Sequence, residues 1–178
     1  LHEGEMIVIA ARPGMGKTAF ALNIATHAAM TTKKAIAIFN LEMSKEQLVN
    51  RMLSALGGIE GKKLQNGQMM QTDWKKYNEA MSQLADTNMY IEDNAGITSS
   101  DIRAKCRRLA SKPEGLGLVI IDYLQLLTLG GKRPDSRQQE VSDISRSIKT
   151  MAMELKVPVI ALAQLSRNAE KRENNEPM

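Results

Sequence analysis

Lys17 and Thr18 close the run ARPGMGKT, which spans Ala11 to Thr18 and carries Gly14 and Gly16. An ammonium and a hydroxyl set directly behind glycines suit phosphate. Glycines let backbone amides wrap a β-phosphate, the lysine reaches the β and γ groups, and the threonine hydroxyl ligates magnesium. The first glycine of the usual pattern is Ala11 here, and Arg12, Pro13 and Met15 fill the other loop positions. A glycine-rich turn with an incidental lysine is the plainer reading. Context weighs against it, because an apolar run precedes the loop and helix formers follow it.

Two carboxylates could complete such a site. Asp122 closes the apolar run Leu118–Ile121, and a carboxylate at the end of a strand can help hold the same magnesium as Thr18. Glu42 stands three residues beyond a second apolar run, Ala35–Phe39. It could orient an attacking water as general base, or it could be a carboxylate stabilised by the dipole at a helix start. Spacing leaves both readings open. Gln164, at the end of the last apolar run, could contact a γ-phosphate, although strand-end glutamines are more often simply solvated. In GGKRPDSR, Lys132, Arg133 and Arg137 against Asp135 leave a charge of +2. That suits nucleic-acid phosphates, and it equally suits an ordinary wet loop.

The elements that must position these groups read as alternating strands and helices. Met6–Ala10 is a strand, and Ala19–Met30 is rich in helix formers. A capping box of Ser44 and Gln47 starts a helix after the second strand. Gly57 to Gly67 holds four glycines and reads as a loop, Asp73–Ala85 as a helix and Met89–Ile91 as a brief strand. Thr98 caps a helix with Ile102, Cys106 and Leu109 inward; the basic face from Arg103 to Arg108 reads as solvated or subunit-facing. Gly115–Gly117 breaks the chain before the strand that ends on Asp122. Beyond the polar loop, Val141, Ile144, Ile148, Met151 and Leu155 recur at helical steps, and Val157–Ala163 is the last strand. Such alternation predicts right-handed βαβ units, hence a mostly parallel sheet with helices on both faces. Ligands of these sheets sit beyond the carboxyl ends of the strands, where Thr18, Glu42 and Asp122 all fall.

Composition bounds the rest. At 178 residues and 43% hydrophobic content, one domain with a real core is expected. A lone cysteine, Cys106, cannot form an intramolecular disulfide, and no apolar run approaches the roughly 20 residues of a membrane span. This reads as a soluble, cytoplasmic protein. The net charge of +4 permits an anionic partner without requiring one. Aromatics at 3% supply few bases' worth of stacking, so any nucleic acid would be held mainly through phosphates. His2 and His27 are too few and too distant for a metal site with one cysteine.

Five strings in order, ARPGMGKTAF, FNLEMSKEQLVNRM, IIDYLQL, RQQEVSDISRSIK and VPVIALAQLSR, closely resemble the ATPase domain of bacterial DnaB-type replicative DNA helicases. The resemblance runs from Leu1 to Arg172. It implies a RecA-like P-loop NTPase fold and a ring-shaped homo-hexamer. Such a ring encircles single-stranded DNA and moves 5′ to 3′ on ATP or another nucleoside triphosphate with Mg2+. It also implies primase and a helicase loader as partners. By position, Arg12 to Ala19 would hold phosphates, with Thr18 and Asp122 on magnesium. Lys17 and Glu42 would be catalytic, Arg51 would pack on the nucleotide, and Gln164 would couple the γ-phosphate to DNA. The family's primase-binding domain and linker helix would lie before Leu1, and its arginine finger and second DNA loop beyond Met178. Residues 1–178 alone are therefore expected to bind nucleotide, hydrolyse it poorly and fail to unwind DNA. A recombination ATPase of the RecA or RadA kind and a nucleotide-switched helicase-loading protein are the competing readings. The strings LEMSKEQL and IDYLQL lean against the first. Lys17, Thr18, Glu42 and Asp122 together argue for turnover against the second.

Overall fold

In the computed structural model, which describes residues 1–128 and 136–165, five strands form one wholly parallel sheet. They are β1 (Met6–Ala11), β2 (Ala35–Asn40), β3 (Met89–Glu92), β4 (Leu116–Asp122) and β5 (Val159–Gln164), in the spatial order β1-β5-β4-β2-β3. The connecting helices are α1 (Lys17–Thr31), α2 (Lys45–Gly57), α3 (Gly61–Asn66), α4 (Gln71–Ala85), α5 (Ser99–Ala110) and α6 (Arg137–Leu155). A short 3-10 turn, Leu124–Leu126, follows β4.

Alternation along the strands sorts the core into two layers. Ile36, Ile38, Leu118, Ile120, Ile160 and Leu162 point to the side covered by Ala21, Leu22 and Ala25 of α1 and by Leu48 and Met52 of α2. Ala37, Phe39, Val119, Ile121, Val159 and Ala161 point to the side covered by Ile102 and Cys106 of α5 and by Ile144, Ile148 and Met151 of α6. Burying each large aliphatic side chain contributes about 1.5–3 kcal/mol, against about 1 kcal/mol for a helix cap. The sheet centre therefore decides where the strands end, and the caps refine where the helices begin. Burial also pushes the Cys106 thiol up to about 12, which keeps it protonated and unreactive.

Among the differences from the expected boundaries, four have a clear local reason. The stretch from Gly57 to Gly67 is not all loop. The helix-forming residues between its glycines wind into α3, which stops where Gly67 turns left-handed at φ 69°. β4 begins at Leu116, because only Gly115, at φ 65°, is the turn; Gly117 lies inside the strand. A Cβ on Gly117 would sit 2.8 Å from Lys34 Cβ, so the glycine permits the close approach of β4 to β2. β5 begins at Val159, since the Val157 amide still donates to Ala152 at the end of α6 and Pro158 has no N–H to give. α6 begins one residue earlier than the polar loop suggests, because Ser136 caps it by accepting from the Gln139 amide.

The basic face of α5 is partly spent on intramolecular pairs. Arg103 and Arg107 both pair with Glu154 of α6, and Lys105 pairs with Glu92 at the end of β3. Among the described residues no helix is long and apolar enough to cross a membrane.

Candidate functional site

Strand register brings the chemistry together. Asn40 is the cross-strand partner of Asp122, Asp122 of Leu162, and Ala11 of Gln164, so β2 and β4 finish level and β1 and β5 run two residues further. Above them opens a cavity of about 260 Å³ lined by Ala11 to Thr18, Glu42, Met43, Arg51 and Gln164. Ten of the residues singled out by spacing or resemblance thus share one wall: Arg12, Pro13, Gly14, Met15, Gly16, Lys17, Thr18, Glu42, Arg51 and Gln164. Ala19 lies outside this lining, in the first turn of α1.

The floor is built to receive an anion. Gly14 and Gly16 have φ of 79° and 81°, a left-handed backbone that turns the loop and that other L-residues adopt only under strain. A Cβ at either position would meet nothing within 4 Å, so conformation rather than crowding demands the glycines. The first intrahelical amide of α1 is that of Phe20, bonded to Gly16 at 2.9 Å. Gly16 offers no side-chain cap, and the first turn of α1 carries no acidic residue. α2, α5 and α6 differ, since Ser44, Thr98 and Ser136 cap them and each has an acidic residue in its first turn. The positive end of α1 is therefore left for a ligand.

Asp122 is the hub beneath this loop. Only 1% exposed, its Oδ2 accepts the Thr18 hydroxyl at 2.5 Å and the Asn40 amide at 3.2 Å. Its Oδ1 is buried without a hydrogen bond and faces Lys17 Nζ at 3.3 Å. Lys17 Nζ also lies 4.8 Å from the centre of the Tyr123 ring. A carboxylate with one oxygen unsatisfied, beside a threonine hydroxyl, is a hard oxygen donor set of the kind that suits Mg2+.

Glu42 lies on the exposed rim of the cavity. The start of α2 is served by other acids and hydroxyls: Ser44 completes its capping box, Glu46 stands in its first turn, and Asp93 accepts the Lys45 amide at 2.9 Å. Other groups thus already serve the start of α2. Arg51, one turn and a half along α2, also reaches the cavity, although its spacing on the helix reads as surface.

Three supporting residues escaped the sequence reading. Asn40 joins Asp122 to the Glu42 loop, accepting the Glu42 and Met43 amides at 3.0 and 2.7 Å. Gln125 pins Gln164 by donating to its carbonyl at 3.1 Å and accepting its amide at 3.3 Å. Tyr123 lies beneath Lys17. Only Asn40 carried a usable signal, since asparagine two residues before a turn residue commonly accepts that residue's amide.

Of the three loop cations, Lys132 and Arg133 lie outside the described residues. Arg137 starts α6, where its guanidinium donates to Glu140 and to the carbonyls of Gln125 and Leu127. That arrangement ties α6 to the turn after β4.

A family model described as the DnaB-like helicase C terminal domain matches residues 1–178. The chain is similar to the Replicative DNA helicase DnaC of Bacillus subtilis (strain 168) and to the Replicative DNA helicase DnaB of Geobacillus stearothermophilus. It is 53% identical to each over 177 residues, which is 99% of this chain and 39% of either relative. It therefore spans well under half the length of these curated relatives. A solved structure of a DnaB-like replicative helicase, described together with its interactions with primase, superposes with a TM-score of 0.90 at 39% identity, covering 99% of this chain and 42% of that one. A second, described as an ATPase domain, superposes with a TM-score of 0.91 at 39% identity, covering 100% of this chain and 63% of that one. These matches support the helicase reading and lend nothing to a recombination ATPase. With the family model matched from end to end and the sheet superposing on solved members, the chain belongs to the DnaB-like helicase C-terminal domain family.

Proposed function

We propose that this chain is the motor region of a cytoplasmic replicative helicase that hydrolyses ATP, or another nucleoside triphosphate, with Mg2+. As a homo-hexamer it moves 5′ to 3′ on single-stranded DNA and unwinds duplex at the fork, with primase and a loader as partners of the longer protein. The observation that carries this reading is the single cavity that joins the glycine loop, Glu42, Arg51 and Gln164 above Asp122.

Within it, the loop amides and Lys17 bind the β and γ phosphates, and Thr18 and Asp122 would hold the metal. Bound there, Mg2+ would supply positive charge to offset that of the phosphates. Glu42, on the open side of the pocket, positions the attacking water and takes its proton. Arg51 lies against the nucleotide. Gln164 senses the γ-phosphate from the end of β5, and its clamp to Gln125 continues through Arg137 to the flank of the loop bearing Lys132 and Arg133. That loop grips DNA phosphates.

The test is hydrolysis by the full-length protein with and without single-stranded DNA. Single-stranded DNA is expected to raise turnover, and the stimulation to fall with rising salt as phosphate contacts weaken. Equal turnover with and without DNA would remove the motor reading and leave only a nucleotide-binding domain.

A further inference from the structure

Asn40 is buried at 1% exposure at the end of β2, and its one amide group spans two functional elements. Its Nδ2 donates to Asp122 Oδ2 at 3.2 Å, while its Oδ1 accepts from Glu42 at 3.0 Å and from Met43 at 2.7 Å. The orientation is forced by its surroundings. With the amide flipped, an NH2 would face two backbone N–H donors and an oxygen would face a carboxylate.

Each half of the bridge has a distinct consequence. On the β4 side, Asn40 and Thr18 both tether Oδ2, which leaves Oδ1 turned towards Lys17. The plane of the Asp122 carboxylate is thereby set. On the other side, the ladder runs one residue past β2, through the Leu41 amide on the Asp122 carbonyl at 2.8 Å, and the chain then leaves the sheet. The next two amides, those of Glu42 and Met43, are held by Asn40.

We infer that Asn40 is a positioning residue that fixes the distance between the Asp122 carboxylate and the Glu42 backbone, and so aligns water activation with the metal-side carboxylate. This rests on the hydrolytic reading of the site. A side chain here needs one donor aimed at Asp122 and one acceptor aimed at two amides. A hydroxyl carries both a donor and an acceptor on a side chain one bond shorter, a carboxylate meets only the second requirement and adds like charge, and a methyl meets neither.

The test compares Asn40→Ala, Asn40→Asp and Asn40→Ser in the full-length protein. It measures kcat and KM for the nucleotide, affinity for a fluorescent ADP in chelator, and Tm. Asn40→Ala is expected to lower kcat at least about tenfold, with KM and ADP affinity within about threefold of wild type, because misalignment of a bound reactant is felt in the chemical step. Asn40→Ser is expected to turn over at least about threefold faster than Asn40→Ala, and Asn40→Asp, though isosteric, to be as slow as Asn40→Ala. Should Asn40→Ala not fold, the contrast between Asn40→Ser and Asn40→Asp decides. Equal kcat in those two, or loss of ADP affinity in step with kcat, would overturn the inference. Wild type and Glu42→Gln run alongside: no turnover in wild type would remove the hydrolytic reading itself, full turnover in Glu42→Gln would remove the role of Glu42 on which the inference rests, and loss of turnover there with an unimpaired Asn40→Ala would remove only the role of Asn40.

Discussion

Glu42→Gln in the full-length protein is expected to bind nucleotide as tightly as wild type and to hydrolyse it at least about a hundredfold more slowly. The substitution keeps the shape and removes only the basic oxygen. Glu42 stands on the rim of the cavity and, among the described residues, no hydrogen bond or ion pair uses its carboxylate, whereas its amide is held by Asn40. The fold and the phosphate loop are therefore untouched, and the loss falls on kcat alone. Turnover equal to wild type, measured by phosphate release at saturating nucleotide, would show that Glu42 plays no part in the reaction.

Lys17→Ala is expected to act earlier, by weakening nucleotide affinity about a hundredfold, or roughly 2.7 kcal/mol. The ammonium is the cation held beside Asp122 beneath the loop, whereas Arg12 and Arg51 line the cavity elsewhere. Its removal also leaves the buried Asp122 without the cation now 3.3 Å from Oδ1. A lower Tm is therefore expected as well, since an unpaired buried carboxylate destabilises a fold. Titration with a fluorescent nucleotide separates the two effects when it is done well below the Tm of the variant. Wild-type affinity in a folded Lys17→Ala protein would show that the loop binds phosphate through its backbone alone.

The parts of the site that were legible in the sequence are those built from neighbours in the chain. The strand, glycine loop and helix from Met6 to Thr31 follow from local pattern, and so do the five strands, because continuous apolar runs such as LVII occur only where both faces are covered. Asp122 could be placed at a strand end by counting. What stayed hidden depends on residues far apart in the chain. Asn40 and Asp122 are separated by 82 positions and Gln125 and Gln164 by 39. Their pairing exists only once strand order and register are set. Glu42 shows the same limit: its spacing suited a base or a dipole partner equally, and Asp93, 48 positions beyond the Lys45 amide it accepts, is among the groups that already serve the start of α2. The helix α3 is hidden for a different reason, since four glycines outweigh local propensity in a pattern reading, yet all four fall at the edges of α2 and α3.

Unwinding polarity tests the central claim most directly. The full-length protein, given nucleotide and Mg2+, is offered forked DNA with only a 5′ tail or only a 3′ tail, and strand separation is followed by fluorescence. Unwinding of the substrate whose 5′-tailed strand can thread the ring, abolished by Glu42→Gln, is the predicted result. Robust hydrolysis without unwinding of either substrate, or unwinding that requires the 3′ tail, would contradict it.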